Sequence, residues 1–154
     1  MMELDRQLEV LIKDAGNYGV PPEAIEYAIA PIIKIFAEQL QHTEYYVLQN
    51  LQEDWVLTTI SNSQTKQNKN VIYAFVSVQD AATFGNRNNP DLIAMPIPVA
   101  QLLFRLFSLQ QVESIIFLEN SQDLSRGVEV EREQMSQLIQ AQIQQFNNIP
   151  SNLA

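Results

Sequence analysis

A chain of 154 residues with 46% hydrophobic and 18% charged content has the composition of one folded domain with a real core, not of a disordered segment. Eighteen acidic against nine basic residues give a net charge of −9, which argues against nucleic acid and anionic membrane surfaces, since both need clustered Lys and Arg. There is no cysteine, so disulfides, thiolate nucleophiles and zinc–thiolate sites are excluded, and a reducing compartment fits.

The N-terminus MMELDRQLEV carries Glu3 and Asp5 and has no long apolar run, so no signal peptide is expected. No window approaches ~18 uninterrupted apolar residues, and a cytoplasmic protein without a membrane span is the expectation. Residues 3–16 place Leu4, Leu8, Leu11, Ile12 and Ala15 on one face, the spacing of an amphipathic helix. Asn17 and Gly19 signal its C-cap, and Pro21-Pro22 prevents continuation. A second helix starts near Pro22, with Ile25, Ile29, Ile32, Phe36 and Leu40 as its buried stripe. Pro31 inside it should kink or split it.

From Glu44 the hydrophobic period changes from 3.6 to 2. EYYVLQN (44–50) and WVLTTISN (55–62) read as a hairpin around Gln52-Glu53-Asp54, and SQTKQNKN (63–70) as a loop. VIYAFVS (71–77) is apolar almost throughout, as suits a central strand covered on both faces. VQDAATFG (78–85) is a helical turn, NRNNPD a loop, and DLIAMPIP (91–98) a short strand that lies at an edge or ends early because Pro96 and Pro98 restrict ladder donation. A helix from Pro98 or Val99 buries Val99, Leu102, Leu103, Leu106 and Phe107. SIIFL (114–118) is a buried strand, 119–127 a turn and VEVE (128–131) a short strand. The last helix, 132–147, aligns Met135, Leu138, Ile139, Gln142 and Phe146 along one side. These elements predict an α+β domain over 1–147. It comprises an N-terminal helical hairpin (1–41) and a core (44–147) of mixed, mostly antiparallel sheet packed by helices, with a flexible tail at 148–154.

Residues 45–140 resemble the N-terminal domain of the SseB family. The features are Phe75-Val76-Ser77 ending a strand, then Ala82 and Phe84, then the Pro-bearing strand at Met95-Pro96. Leu102, Leu103 and Leu106 follow on a helix, then the strand Ile115–Leu118 and the strand-to-helix stretch Val128–Leu138. Where the family usually shows Asn-Pro after the last apolar strand, this chain has Glu119-Asn120. The resemblance implies a fold and no defined reaction.

Candidates for chemistry are few. His42 is the sole histidine and sits at a helix exit, where favourable interaction with the helix dipole is commoner than catalysis or metal binding. Glu129, Glu131 and Glu133 cluster with Asp123, and alternation turns Glu129 and Glu131 outward while Val128 and Val130 point inward. No calcium-loop spacing accompanies them, so a solvated strand face is the simpler reading. The four glycines, at 16, 19, 85 and 127, cannot build a phosphate-cradling loop, and no serine has a Gly-flanked elbow. No cofactor and no metal are expected.

Tyr45, Trp55, Tyr73 and Phe75 lie on the early strands, where aromatics are usually core. Because adjacent strand residues point opposite ways, Tyr45 and Tyr46 cannot share a face, and one side of the sheet is expected to carry an aromatic groove. The sequence therefore points to a non-catalytic adaptor or assembly chaperone. It would capture a neutral or basic partner segment in an apolar groove between sheet and helices, through Tyr45, Trp55, Tyr73 and Phe75. High Gln and Asn with few Lys has a bacterial, cyanobacterial flavour, suggesting a multi-protein complex such as a microcompartment. A homodimer through the second helix is a further expectation. The alternative is a small-molecule sensor with an apolar pocket, and an enzyme using Glu or Asp alone ranks third.

Overall fold

The computed structural model describes residues 3–86, 89–119 and 127–147. The expected tail at 148–154 and most of the expected turn at 119–127 lie outside them. Helix α1 (Leu4–Lys13) ends in a 3₁₀ turn (Ala15–Tyr18) closed by Gly19, whose φ of 69° is the left-handed conformation that glycine adopts without penalty. The second helical segment comprises α2 (Pro22–Ala24), a π turn (Ile25–Ile29) and α3 (Ala30–Glu38).

Pro31 is the cause of that π turn. A helical proline lacks an N–H and its ring crowds the carbonyl four residues earlier, here that of Tyr27. The widened turn lets the helix continue through Pro31, and the Tyr27 carbonyl accepts a hydrogen bond from Gln142 Nε2 at 3.3 Å.

The strands are β1 (Glu44–Gln49), β2 (Thr58–Asn62), β3 (Gln67–Phe75), β4 (Ile93–Pro98), β5 (Ser114–Leu118) and β6 (Val128–Glu131). They form one sheet in the order β4-β1-β3-β5-β6, with β2 also on β3; β3 and β5 are parallel and the other pairs antiparallel. The α+β class, the mixed sheet, the central place of 71–75 and the edge place of the Pro-bearing strand follow the sequence expectation.

The hairpin does not. It closes at its tip, where Asn50 N–H donates to Asp54 O and Val56 N–H to Leu48 O, both at 2.9 Å. Strand β2 then leaves β1 and pairs with β3 from Thr58↔Val71 to Asn62↔Gln67. Residues 67–70, expected in a loop, are strand. Their side chains lack apolar alternation because this end of the ribbon is largely exposed, so its register is held by backbone bonds and by polar pairs. Thr59 Oγ1 donates to Asn70 Oδ1 and Ser61 Oγ to Asn68 Oδ1, each at 2.9 Å.

Helices α1, α3, α5 (Val99–Ser108) and α6 (Arg132–Asn147) cover one face of the sheet. Tyr45, Ile72, Ile115 and Phe117 from the sheet meet Leu102, Leu103, Leu106, Met135 and Ile139 there, all essentially without solvent exposure. Each large apolar side chain buried this way contributes roughly 1.5–3 kcal/mol. Among the described residues, no helix is long and apolar enough to cross a membrane.

One polar residue pins this layer. Gln7, 4% exposed, donates from Nε2 to the Thr43 carbonyl and accepts at Oε1 from the Ala100 N–H, both at 2.9 Å. The Val99 N–H also reaches Thr43 O. The first N–H groups of α5, which a helix cannot satisfy internally, are thus supplied with acceptors from residues distant in sequence. Replacing Gln7 by Leu should lower the unfolding free energy by roughly 1–3 kcal/mol, because it leaves Ala100 N–H buried without an acceptor. Urea denaturation checks this, with the exposed Glu9→Gln as a control expected within about 0.5 kcal/mol of the parent.

Candidate binding face

The four aromatics singled out by the sequence do not converge. Tyr45 is fully buried on the helix-covered face, with its ring edge-on to Phe117 at 4.9 Å. Trp55 belongs to the same core and lies under the Arg105 guanidinium, 4.0 Å from the indole centroid. Tyr73 and Phe75 are on the opposite face. A single groove containing all four is therefore ruled out by strand alternation, which sends Tyr45 one way and Phe75 the other. The space between sheet and helices is also no groove along these strands, because it is filled by the buried side chains of the main core.

The opposite face is the surface on which apolar side chains gather without a helical layer of this kind. Register aligns Pro96, Tyr46, Phe75 and Leu118 in one row across four strands, and Tyr73, Ile116 and Glu129 in the next. Leu48, Phe75 and Leu118 are buried, whereas Tyr46, Tyr73 and Ile116 are half-buried. The short segment formed by α4 (Val78–Ala81) and the π turn Ala82–Asn86 packs onto this face. Its start is fixed by Ser77, whose Oγ accepts from the Asp80 N–H at 3.1 Å. Ala81 is buried against the strands, and Phe84 lies 4.8 Å from the Tyr73 ring and 5.2 Å from that of Phe75 while staying 42% exposed. The result is a shallow aromatic patch.

Its margin is charged. Glu129 accepts a hydrogen bond from Ser114 Oγ at 2.6 Å and an ion pair from Lys69 Nζ at 2.5 Å. Glu129 and Glu131 face outward from β6 while Val130 is buried, as the alternation predicts. Partial burial pushes the Glu129 carboxyl up, but the hydrogen bonds from Lys69 and Ser114 and the Lys69 charge outweigh it and hold it below 4.5. In turn, the Glu129 hydrogen bond outweighs desolvation and holds the Lys69 ammonium above 10.5. Glu129 is thus an engaged carboxylate. The polar character of residues 67–70 concealed its partner, since Lys69 reads in the sequence as part of a loop.

Glu119 ties two elements together. One carboxylate oxygen accepts a short hydrogen bond from the Tyr45 hydroxyl and the other accepts from Gln41 N–H at 2.8 Å. Burial pushes the Tyr45 phenol well above its ordinary value, and the bond to Glu119 pushes it further. His42 is exposed and edge-on to the Tyr45 ring at 5.7 Å. Among the described residues no group of three or more His, Asp or Glu side chains is arranged to hold a metal ion.

Comparison of the chain with protein-family models, with curated proteins and with solved structures found no match.

Two outcomes follow from these polar contacts. In a double-mutant cycle of Glu119→Ala and Tyr45→Phe, unfolding measurements should give a coupling of about 1 kcal/mol or more, because each single change strands the other partner. The Glu129 carboxyl has a lower pKa folded than unfolded, so its stabilising effect is complete above about pH 4.5 and is lost as pH falls through the folded value. The stability difference between the parent and Glu129→Gln should therefore be flat from about pH 6 to 8 and shrink on acidification below about pH 4.5, as measured by urea titration at each pH.

Proposed function

We propose that this protein is a non-catalytic binding module, an adaptor or assembly chaperone, that receives a partner segment on the face of its sheet opposite the main helical layer. The observation supporting this is the half-buried Tyr46, Tyr73 and Ile116 with the 42% exposed Phe84, an aromatic and aliphatic surface laid over the buried Phe75 and Leu118. Surfaces of this composition are typical of protein contacts, in which one or two aromatic anchors carry most of the energy. The groove expected between sheet and helices is replaced by this patch, where Tyr73 is half-buried at the surface and Phe75, 1% exposed, lies beneath it.

The carboxylates of Glu129 and Glu131 at the margin favour a segment with an apolar anchor and a basic or neutral flank. The resemblance to the SseB family and the Gln- and Asn-rich composition fit a bacterial, cytoplasmic assembly role, such as service to a microcompartment. A homodimer through the second helix would cover Tyr27 and Ile35, which are 53% and 50% exposed.

Photo-crosslinking tests the reading. A benzophenone side chain at position 84 should label a discrete partner in native lysate, whereas the same group at position 138 on the exposed side of α6 should not. Phe84→Ser should weaken capture of that partner about tenfold, the value of one modest aromatic anchor. Equal labelling from both positions, or capture unaffected by Phe84→Ser, would overturn it.

A further inference from the structure

Among the described residues, the strands β4, β6 and β2 each have a strand neighbour on one side alone. An open edge is a template for a further strand, and proteins guard such edges with proline, charge or short length. Two of these edges are guarded in this way. β4 carries Pro96 and Pro98, which have no N–H to give, and β6 is 4 residues long with Glu129 and Glu131. β2 carries neither device. Its Thr58, Thr59, Ile60 and Ser61 are uncharged and mostly β-branched, a composition that favours extended pairing.

The bonding phase of the ladder shows which backbone groups this edge offers. Asn70 donates its N–H to Glu113 Oε2 at 2.7 Å and accepts from the Glu113 N–H at 2.9 Å, so both its backbone groups point away from β2. Antiparallel partners exchange either both bonds or neither, and Thr59↔Asn70 is therefore a pair that exchanges none. The N–H and C=O of Thr59 point outward, away from β3, and those of Ser61, next but one along the strand, do the same. Side chains approach most closely in such pairs, which agrees with the bonds from Thr59 to Asn70 and from Ser61 to Asn68. Thr59 and Ser61 are exposed, and among the described residues no backbone hydrogen bond is made at this edge.

We infer that a second copy of this chain docks on the outer edge of β2, the two β2 strands running antiparallel about a twofold axis at Thr59. Thr59 then exchanges N–H···O=C bonds with its counterpart, and Leu57 of each copy lies opposite Ser61 of the other. The contact is self-complementary, as a twofold interface requires. Charge also favours it. The chain carries a net charge of −9, yet residues 55–65 hold no charged side chain, so no like charges meet at the contact. Glu53 and Asp54 precede this neutral stretch and Lys66 follows it. Antiparallel pairing brings the acidic end of one copy to the Lys66 end of the other, whereas parallel pairing would set like on like. Leu57, 40% exposed, gains cover. The contact involves neither Phe84 nor the second helix, so it does not depend on the reading of the aromatic patch.

Sedimentation velocity of the full chain should show a monomer–dimer equilibrium with a dissociation constant of about 100 µM or below, the strength of a small edge contact. Thr59→Pro removes an outward N–H and no bond to β3, and should raise that constant at least about tenfold. Lys66→Glu should weaken the dimer severalfold at low salt, and adding Glu53→Lys should restore it. Ile35→Glu and Phe84→Ser should each change the constant by less than about twofold. A chain that stays monomeric up to about 1 mM leaves the edge to a strand of another protein and overturns the proposal. So does a dimer lost in Ile35→Glu but indifferent to Thr59→Pro, or a double variant no stronger than Lys66→Glu alone. The charge-reversal pair keeps the outcome decisive even where proline at position 59 disturbs the fold.

Discussion

A residue on a β-strand has no choice of side, and this constraint organises the molecule. Tyr45 and Tyr46 are neighbours in sequence yet face opposite sides of the sheet. The same holds for Ile72 and Tyr73, for Ala74 and Phe75, and for Ile115 and Ile116. Strands β1, β3 and β5 are apolar on both sides, so each must find two apolar environments. The helices provide one of them. The other is provided in part by a nine-residue segment, 78–86, that reaches Phe75 and Leu48 but leaves Tyr46, Tyr73 and Ile116 half-buried. The patch is thus a consequence of strand composition meeting incomplete cover.

On the covered side, packing alone does not explain the order of the elements. Helix α5 begins directly after the edge strand β4, with no side-chain cap of its own. Its exposed N–H groups would be a liability in a buried position. Gln7 and the Thr43 carbonyl answer them from 93 and 56 residues away, which couples α1 and the approach to β1 to the start of α5. Glu119 does comparable work at the same end of β1, joining the end of β5 to the Tyr45 hydroxyl and the exit of the second helix. Both are polar residues whose value lies in closing buried hydrogen bonds, an all-or-none benefit that vanishes if one partner is missing.

Much of this was legible in the sequence because burial leaves a periodic trace. The stripes on α1, the Pro-bearing edge strand, the apolar run of β3 and the Val/Glu alternation of β6 all read correctly for that reason. What failed to show was structure held by backbone bonds and polar pairs without apolar burial. The segment Gln67–Asn70 pairs with β2 while exposing its side chains, so period-2 hydrophobicity had nothing to record there. The same blindness hid the Lys69–Glu129 pair. Aromatic content on the early strands was informative about a patch, but not about which of Tyr45, Trp55, Tyr73 and Phe75 would share it. That depends on the phase of each strand, which becomes fixed when β1 pairs with β3 and β4.

The two sides of the sheet differ in what their packing leaves over. The aromatic patch is a surplus, apolar area beyond what one layer of helices can cover, and surplus of that kind is general to surfaces that meet other proteins. The buried Trp55 N–H is a deficit, a donor held without an acceptor in a structure that pairs Gln7 and Ser114. Ile72 faces the core that holds Trp55 and Tyr73 the patch, so adjacent residues of the central strand serve opposite sides. A surplus of apolar area can be covered by many partners, because burial is non-directional. A missing acceptor is directional and chemically narrow, since it calls for one oxygen at one place. The Trp55 N–H, sealed from solvent, is therefore a cost the fold carries.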